Sequence, residues 1–249
     1  MNALLIRVGA DQSIDGGNWN GPVDLQSRQF AYVPIPESLK RALHEQLEKP
    51  FKILDKAVLS QFGVRLPASL STRFMHLDPD FGHLTYGDTG QRAKQICNYL
   101  REGVGDFLVF YAGLSDARAK KAASNDKKAR LIYAIIGIFE IETFRRAVDI
   151  PPAELDINAH SRRVLGPDAE DLVVYAKAGV SGRLKHCLPI GEYRDDAYRA
   201  LRDLLAEWGD LTVKDGYLQR SARLPKFREA PLFLRWFNAM TPDLVQANN

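Results

Sequence analysis

The stretch "GDFLVFYAGL" (105–114), followed by "RLIYAIIGIFEIET" (130–143), decides how the rest of this chain is read. Both runs are dense in β-branched and aromatic residues, so they are expected as paired core strands. Between them lies "DARAKKAASNDKKAR" (116–130), a basic, alanine-rich connection. Working outward, "ALLIRV" (3–8) and "QFAYVPI" (29–35) read as short strands that bracket a turn-rich segment, "GADQSIDGGNWNGPVD". Apolar spacing predicts helices over "PESLKRALHEQLEKPFKILDKAVLSQFG" (36–63), split in two by Pro50, and over "TGQRAKQICNYLREG" (89–103), with Thr89 as N-cap. Further strands are expected at "RRVLG" (162–166) and "DLVVYAKA" (171–178), and helices at "RDDAYRALRDLLAEWG" (194–209) and "KFREAPLFLRWFNAM" (226–240). The mixture lacks regular βαβ alternation. It predicts one α+β domain over residues 1–249, with a bent sheet or small β-barrel and flanking helices, rather than a doubly wound fold.

Composition narrows the class. A chain of 249 residues, 45% hydrophobic and 26% charged, buries a real core, and its formal charge is only +3. The basic residues nevertheless cluster, in 116–130 and in "NAHSRRV" (158–164), which favours an anionic partner. The two cysteines, Cys97 and Cys187, have no CxxC spacing, which argues against zinc binding or a disulfide framework. The opening "MNALLIRVGAD" lacks the features of a signal peptide and no apolar run is long enough to span a bilayer, so a cytoplasmic protein without a membrane partner is expected.

Chemistry concentrates in a few places. "HLDPDFGHLTYGD" (76–88) packs His76, Asp78, Asp80, His83, Tyr86 and Asp88 into an ordered loop. Its commonest reading is a loop whose carboxylates accept hydrogen bonds from its own backbone; a pocket role for His76, Asp78 and Asp80 in acid/base catalysis comes next. A metal comes last, because no partners that would orient such ligands are evident, so neither a metal nor a cofactor is expected. After the first strand, Arg7, Asp11, Trp19 and Asn20 sit where glycine-rich backbone approaches a ligand, with Trp19 to stack on a base and Asn20 to read its edge; the alternative is an Ω-loop with Trp19 plugging the core. Strand alternation would place Asn158, His160 and Arg162 on one face, with His160 as proton donor or acceptor and Arg162 on a phosphate. "SGRLKH" and "KDGYLQRSARLP" add Arg183, Lys214 and Arg220 as further phosphate contacts, or as surface salt bridges. No GxSxG or HExxH occurs.

Taken together, "LLIRVGAD", "GGNWNGPVD", "AYVPIPE", "HLDPDFGHLTYGD", "GDFLVFYAGL" and "VKDGYLQRSARLP" resemble the third subtype of nucleotide modification associated domain, nearly end to end. That resemblance implies gene neighbourhoods that hypermodify DNA bases, in phage and mobile elements, and hence nucleic acid (DNA foremost) or a nucleotide as partner, alongside other modification-system proteins. "GDFLVFY" followed by "IYAIIGIFEIE" also resembles EVE and PUA-like domains over the central third. This second resemblance implies a pocket that accepts a modified or flipped base, bordered by Tyr86, by Tyr111 at the strand's end, and by Asp11, Trp19 and Asn20. The expected function is recognition of such a base, and the alternative is an enzyme of base or nucleotide hypermodification working through His76, Asp78, Asp80 or His160.

Overall fold

A computed structural model describes residues 1–118, 131–219 and 223–249. From the N-terminus, β1 (Ala3–Arg7), β2 (Pro22–Val23) and β3 (Ile35–Pro36) precede a short α1 (Lys52–Ala57) and β4 (Met75–His76). Then come β5 (Thr85–Asp88), α2 (Gly90–Tyr99) and the long pair β6 (Phe107–Asp116) and β7 (Leu131–Arg146). The C-terminal part adds β8 (Leu172–Ala176), β9 (Gly182–Arg194), β10 (Ala197–Ala200), α3 (Arg202–Glu207), α4 (Ala230–Ala239) and β11 (Leu244–Val245).

The runs that opened the sequence reading form the spine. β6 and β7 pair antiparallel, with Phe107 opposite Glu140, and β1 adds to the far side of β6 in parallel, so that Arg7 lies beside Tyr111. β7 is long enough to serve two partners: its first half pairs with β9, while its second half, beyond Ile141, pairs with β8, which in turn holds β5. Shifts of register interrupt both pairings, at Tyr133/Ala134 and Ile135/Gly137 against β9 and at Ile141/Thr143 against β8, as bulges do. Among the described residues this gives an α+β architecture with one sheet of nine strands and few helices, and the sheet does not close into a barrel. No described helix is long and apolar enough to cross a membrane.

Several expected elements differ. The helices expected over 36–63 reduce to 3-10 turns at Glu45–Leu47 and Leu59–Phe62 with α1 between them. The reason is a long-range backbone pairing: His44 N–H donates to Arg162 O (3.0 Å) and Val164 N–H to Ala42 O (2.9 Å), which removes those groups from any local helix. The strand expected at 162–166 is consequently a turn carrying one isolated bridge, Leu43 to Arg163. Residues 194–209 start as β10 before becoming α3. α2, α4 and β8 lie where periodicity placed them. β9 was not foreseen, because Pro189 and scattered basic residues interrupt its pattern.

One contact ties the 76–88 segment to this sheet. Phe81 is fully buried and packs edge-on against Tyr32, Phe110 and Phe139 at 5.3–5.8 Å between ring centroids. Gly137 of β7 makes the room: a Cβ there would stand 2.4 Å from the Phe81 ring.

Candidate functional site

A pocket of about 150 Å³ opens between β1, the 76–88 segment and the 158–163 turn. His76 reaches it because β4 pairs with β3, which sets Ile35 opposite His76 and puts Glu37 next to the imidazole. Glu37 Oε2 lies 2.6 Å from His76 Nδ1. Asp78 follows, and its Oδ1 accepts from the Gly87 N–H (2.6 Å) and from the Asn158 side-chain amide (3.1 Å).

His160 arrives from the other side. Asn158 anchors its turn: the side-chain amide also donates to Thr85 Oγ1 (3.2 Å), and its Oδ1 accepts from His160 N–H (2.9 Å). The ring then packs against Gly87, where a Cβ would be 2.3 Å from His160 Cδ2, so this position admits only glycine without displacement. His160 Nδ1 is 2.6 Å from Asp171 Oδ1, just before β8. Both imidazoles therefore have Nδ1 held by a buried carboxylate, and both Nε2 atoms face Asp78 Oδ2 at 3.9 Å. Arg163 joins the two halves, donating to Glu37 Oε1 (3.1 Å) and Asp171 Oδ1 (3.0 Å).

The electrostatics follow from burial and pairing. Burial would raise the Glu37 carboxyl, but the His76 hydrogen bond and the charges of His76 and Arg163 hold it well below the carboxylate range. Asp171 is likewise brought down to about 2 by His160 and Arg163 against its burial. With both carboxylates ionised, the short Nδ1 contacts place a proton on Nδ1, and in a neutral ring the Nε2 lone pair then faces the pocket. Burial pushes the Asp78 carboxyl up and the His160 imidazole down, the directions expected where charges leave water.

The rim carries the other charges. Arg7 lies over the Tyr133 ring (5.1 Å) with Asp11 Oδ2 at 3.6 Å, and Arg92 donates to Asp88 Oδ2 (2.8 Å). Tyr86, its hydroxyl pushed well above its ordinary value by burial, donates to the same Asp88 oxygen (2.7 Å).

Of the residues singled out from the sequence, Arg7, Asp11, His76, Asp78, Tyr86 and His160 line this pocket together. The others have different surroundings. Asp80 Oδ1 accepts from Gly82 N–H, His83 N–H and the Asn248 amide, while its Oδ2 meets His83 Nδ1 at 3.1 Å. Trp19 packs with Ala10, Phe51 and Leu70 in a separate apolar cluster, and Asn20 donates to Gly113 O (2.8 Å). Tyr111 is buried with its hydroxyl donating to Leu218 O. Arg162 is fully buried beside Glu48, donating to Asp156 O, and Arg183 is buried against Phe30 and donates to Ala247 O. Lys214 sits exposed in a 3-10 turn away from the pocket. Arg220 and residues 119–130 of the basic segment lie outside the described residues. Glu37, Arg92, Arg163 and Asp171 were given no role from the sequence; a buried acid in "PIPE" or "EDLVV" leaves no local signature.

The model of nucleotide modification associated domain 3 matches residues 2–228. This chain belongs to that family. No curated protein and no solved structure matches it. Membership of the nucleotide modification associated domain 3 family indicates a nucleotide modification associated function for the chain. What the pocket does within that setting has to come from its atoms.

Proposed function

We propose that this pocket is the active site of an enzyme that modifies a nucleotide or a base within nucleic acid, with His76, Asp78 and His160 as the reacting centre. The observation that carries the reading is the pair of imidazoles, drawn from distant segments, each fixed through Nδ1 by its own buried carboxylate and aimed through Nε2 at one oxygen of Asp78. Reactive groups held this rigidly in a concave site are what catalysis needs. A site for base recognition alone needs an exposed ring to stack on, whereas Tyr111 is buried and Trp19, half-buried, packs on a separate apolar cluster and does not line this pocket.

Arg7 and Arg92 are the cations beside the centre and supply the attraction for a phosphate-bearing substrate, each balanced by a neighbouring aspartate. At about 150 Å³ the pocket admits the reacting part of a nucleotide and leaves the remainder outside. The antiparallel pairing of β6 and β7 supports the PUA/EVE-like comparison for this half of the sheet. A nucleic acid or nucleotide partner in the cytoplasm, within a modification system, fits the same reading, for one domain spanning the chain.

Mass spectrometry of nucleosides from DNA and from the nucleotide pool tests it, in cells with the gene, without it, and with His160→Gln. The expected result is a nucleoside that depends on both the gene and His160. Identical nucleosides in all three would remove the enzymatic reading, and a change that needs the gene but survives His160→Gln would return weight to base recognition.

A further inference from the structure

We propose that His76 Nε2, Asp78 Oδ2 and His160 Nε2 bind one first-row divalent transition metal ion. The proposal rests on the enzymatic reading of this pocket for what the ion would do, and on the atoms alone for whether it binds. The three donor atoms lie within 4.8 Å of one another, with Asp78 Oδ2 at 3.9 Å from each Nε2. At 3.9 Å these groups do not hydrogen-bond to one another, so the cluster does not satisfy itself. Around an ion at about 2.1 Å from each donor, neighbouring donors stand about 3–3.4 Å apart, so the donor atoms need to close by about one to two ångströms.

The surroundings are arranged as ligand support. A ligating imidazole characteristically gives its second N–H to a carboxylate, which fixes tautomer and ring orientation and raises the basicity of the ligating nitrogen. Here both do so, to Glu37 and to Asp171 at 2.6 Å, and Arg163 locks the two carboxylates together. The charges are incomplete without a cation. Arg7 has Asp11, Arg92 has Asp88, and Arg163 has Glu37 and Asp171, whereas among the described residues Asp78 has no guanidinium partner. Its Oδ1 takes two N–H donors, and its Oδ2 receives no hydrogen bond from any described residue. A buried carboxylate in that condition is costly until a cation neutralises it.

The donor set also selects the ion. Two imidazole nitrogens with one carboxylate suit iron, cobalt, nickel or zinc better than the all-oxygen shells of magnesium or calcium. Three protein donors that also line an open pocket leave coordination positions for water and substrate, which is the difference between a catalytic and a structural site.

The test strips the purified full chain with a chelator and titrates Co(II), read by its visible absorption, and then Zn(II), read by calorimetry and by the shift in melting temperature. One equivalent is expected. Asp78→Asn, which keeps the shape of the site, and His160→Gln should each weaken binding at least about 100-fold, and Asp171→Asn about 10–100-fold. His83→Ala, an exposed histidine on the same loop, should bind as wild type. Absence of stoichiometric binding by the folded wild type overturns the proposal, whatever the variants do. So does binding that survives Asp78→Asn and His160→Gln, or that disappears with His83→Ala. A bound ion together with unchanged cellular nucleosides would leave this site standing and remove only the enzymatic reading.

Discussion

The two halves of "HLDPDFGHL" (76–84) carry the same chemistry, one histidine and one aspartate each, and the fold uses them in opposite ways. In the second half, Asp80 spends both oxygens on its own loop, on His83 and on Asn248, and its histidine stands 42% exposed. In the first half, Asp78 spends one oxygen on Gly87 and Asn158 and turns the other to the pocket, while His76 is held by a carboxylate from another strand. The lesson concerns supply. A polar loop closes on itself when its own backbone donors saturate its acceptors, and becomes a site when distant segments saturate only part of them.

The strongest way to break this contrast is through Arg163, the residue that lets Glu37 and Asp171 stay ionised side by side. Arg163→Met leaves two buried carboxylates without their cation, and is expected to cost about 3–5 kcal/mol in urea unfolding. A loss below about 1 kcal/mol would mean that the first half is no more supported than the second.

Next comes Gly87. Its N–H is committed to Asp78 and the residue lies opposite Val173 within the β5–β8 pair, so the strand cannot readily retreat from His160. Gly87→Ala should therefore cost about 1–3 kcal/mol as overpacking and abolish Co(II) binding. Wild-type stability and wild-type ion binding in that variant would show that His160 is not fixed where the geometry puts it.

How much of this was legible beforehand follows the same division between local and distant supply. The β6–β7 spine, α2 and α4 announce themselves because the residues that shape them are contiguous. The helices expected over 36–63 fail because His44 and Val164 spend their backbone groups across two segments far apart in sequence, which no window of local periodicity contains. Residue type alone marks His76, Asp78 and His160, but not the partners that would orient them as ligands. Those partners, Glu37 and Asp171, stand at the ends of β3 and β8 and are brought in by strand pairing. Trp19 shows the converse: glycines around an aromatic look like a ligand loop, yet its ring has Phe51 and Leu70 to pack on.

A finer comparison sets Asp80→Asn against Asp78→Asn in the chelator-treated protein. Asp80 is an acceptor for three donors on Oδ1 and for His83 on Oδ2, so losing its charge should cost about 1–2 kcal/mol. Asp78 is a carboxylate that burial already disfavours, and an asparagine keeps the carbonyl that accepts from Gly87, so its replacement should be neutral or stabilising. Chemical denaturation of the two variants checks this. Equal losses would make both aspartates loop residues.

The smallest expected effect is the one that separates the two histidines. In His83→Ala, Asp80 Oδ1 keeps its bonds from Gly82, His83 N–H and the Asn248 amide, because the first two are backbone donors that the substitution leaves in place. What is lost is a contact at 3.1 Å from a partly solvated ring, and an exposed pair of this kind contributes little once water and salt screen it. Stability should change by no more than about 0.5 kcal/mol. His76→Ala removes a ring from the same loop but takes from the buried Glu37 one of its two side-chain partners, leaving Arg163 alone, so it should cost several times more. Thermal unfolding of the two variants side by side measures the ratio. If His83→Ala costs as much as His76→Ala, exposure and partner supply do not distinguish the halves, and the asymmetry on which the site is built is gone.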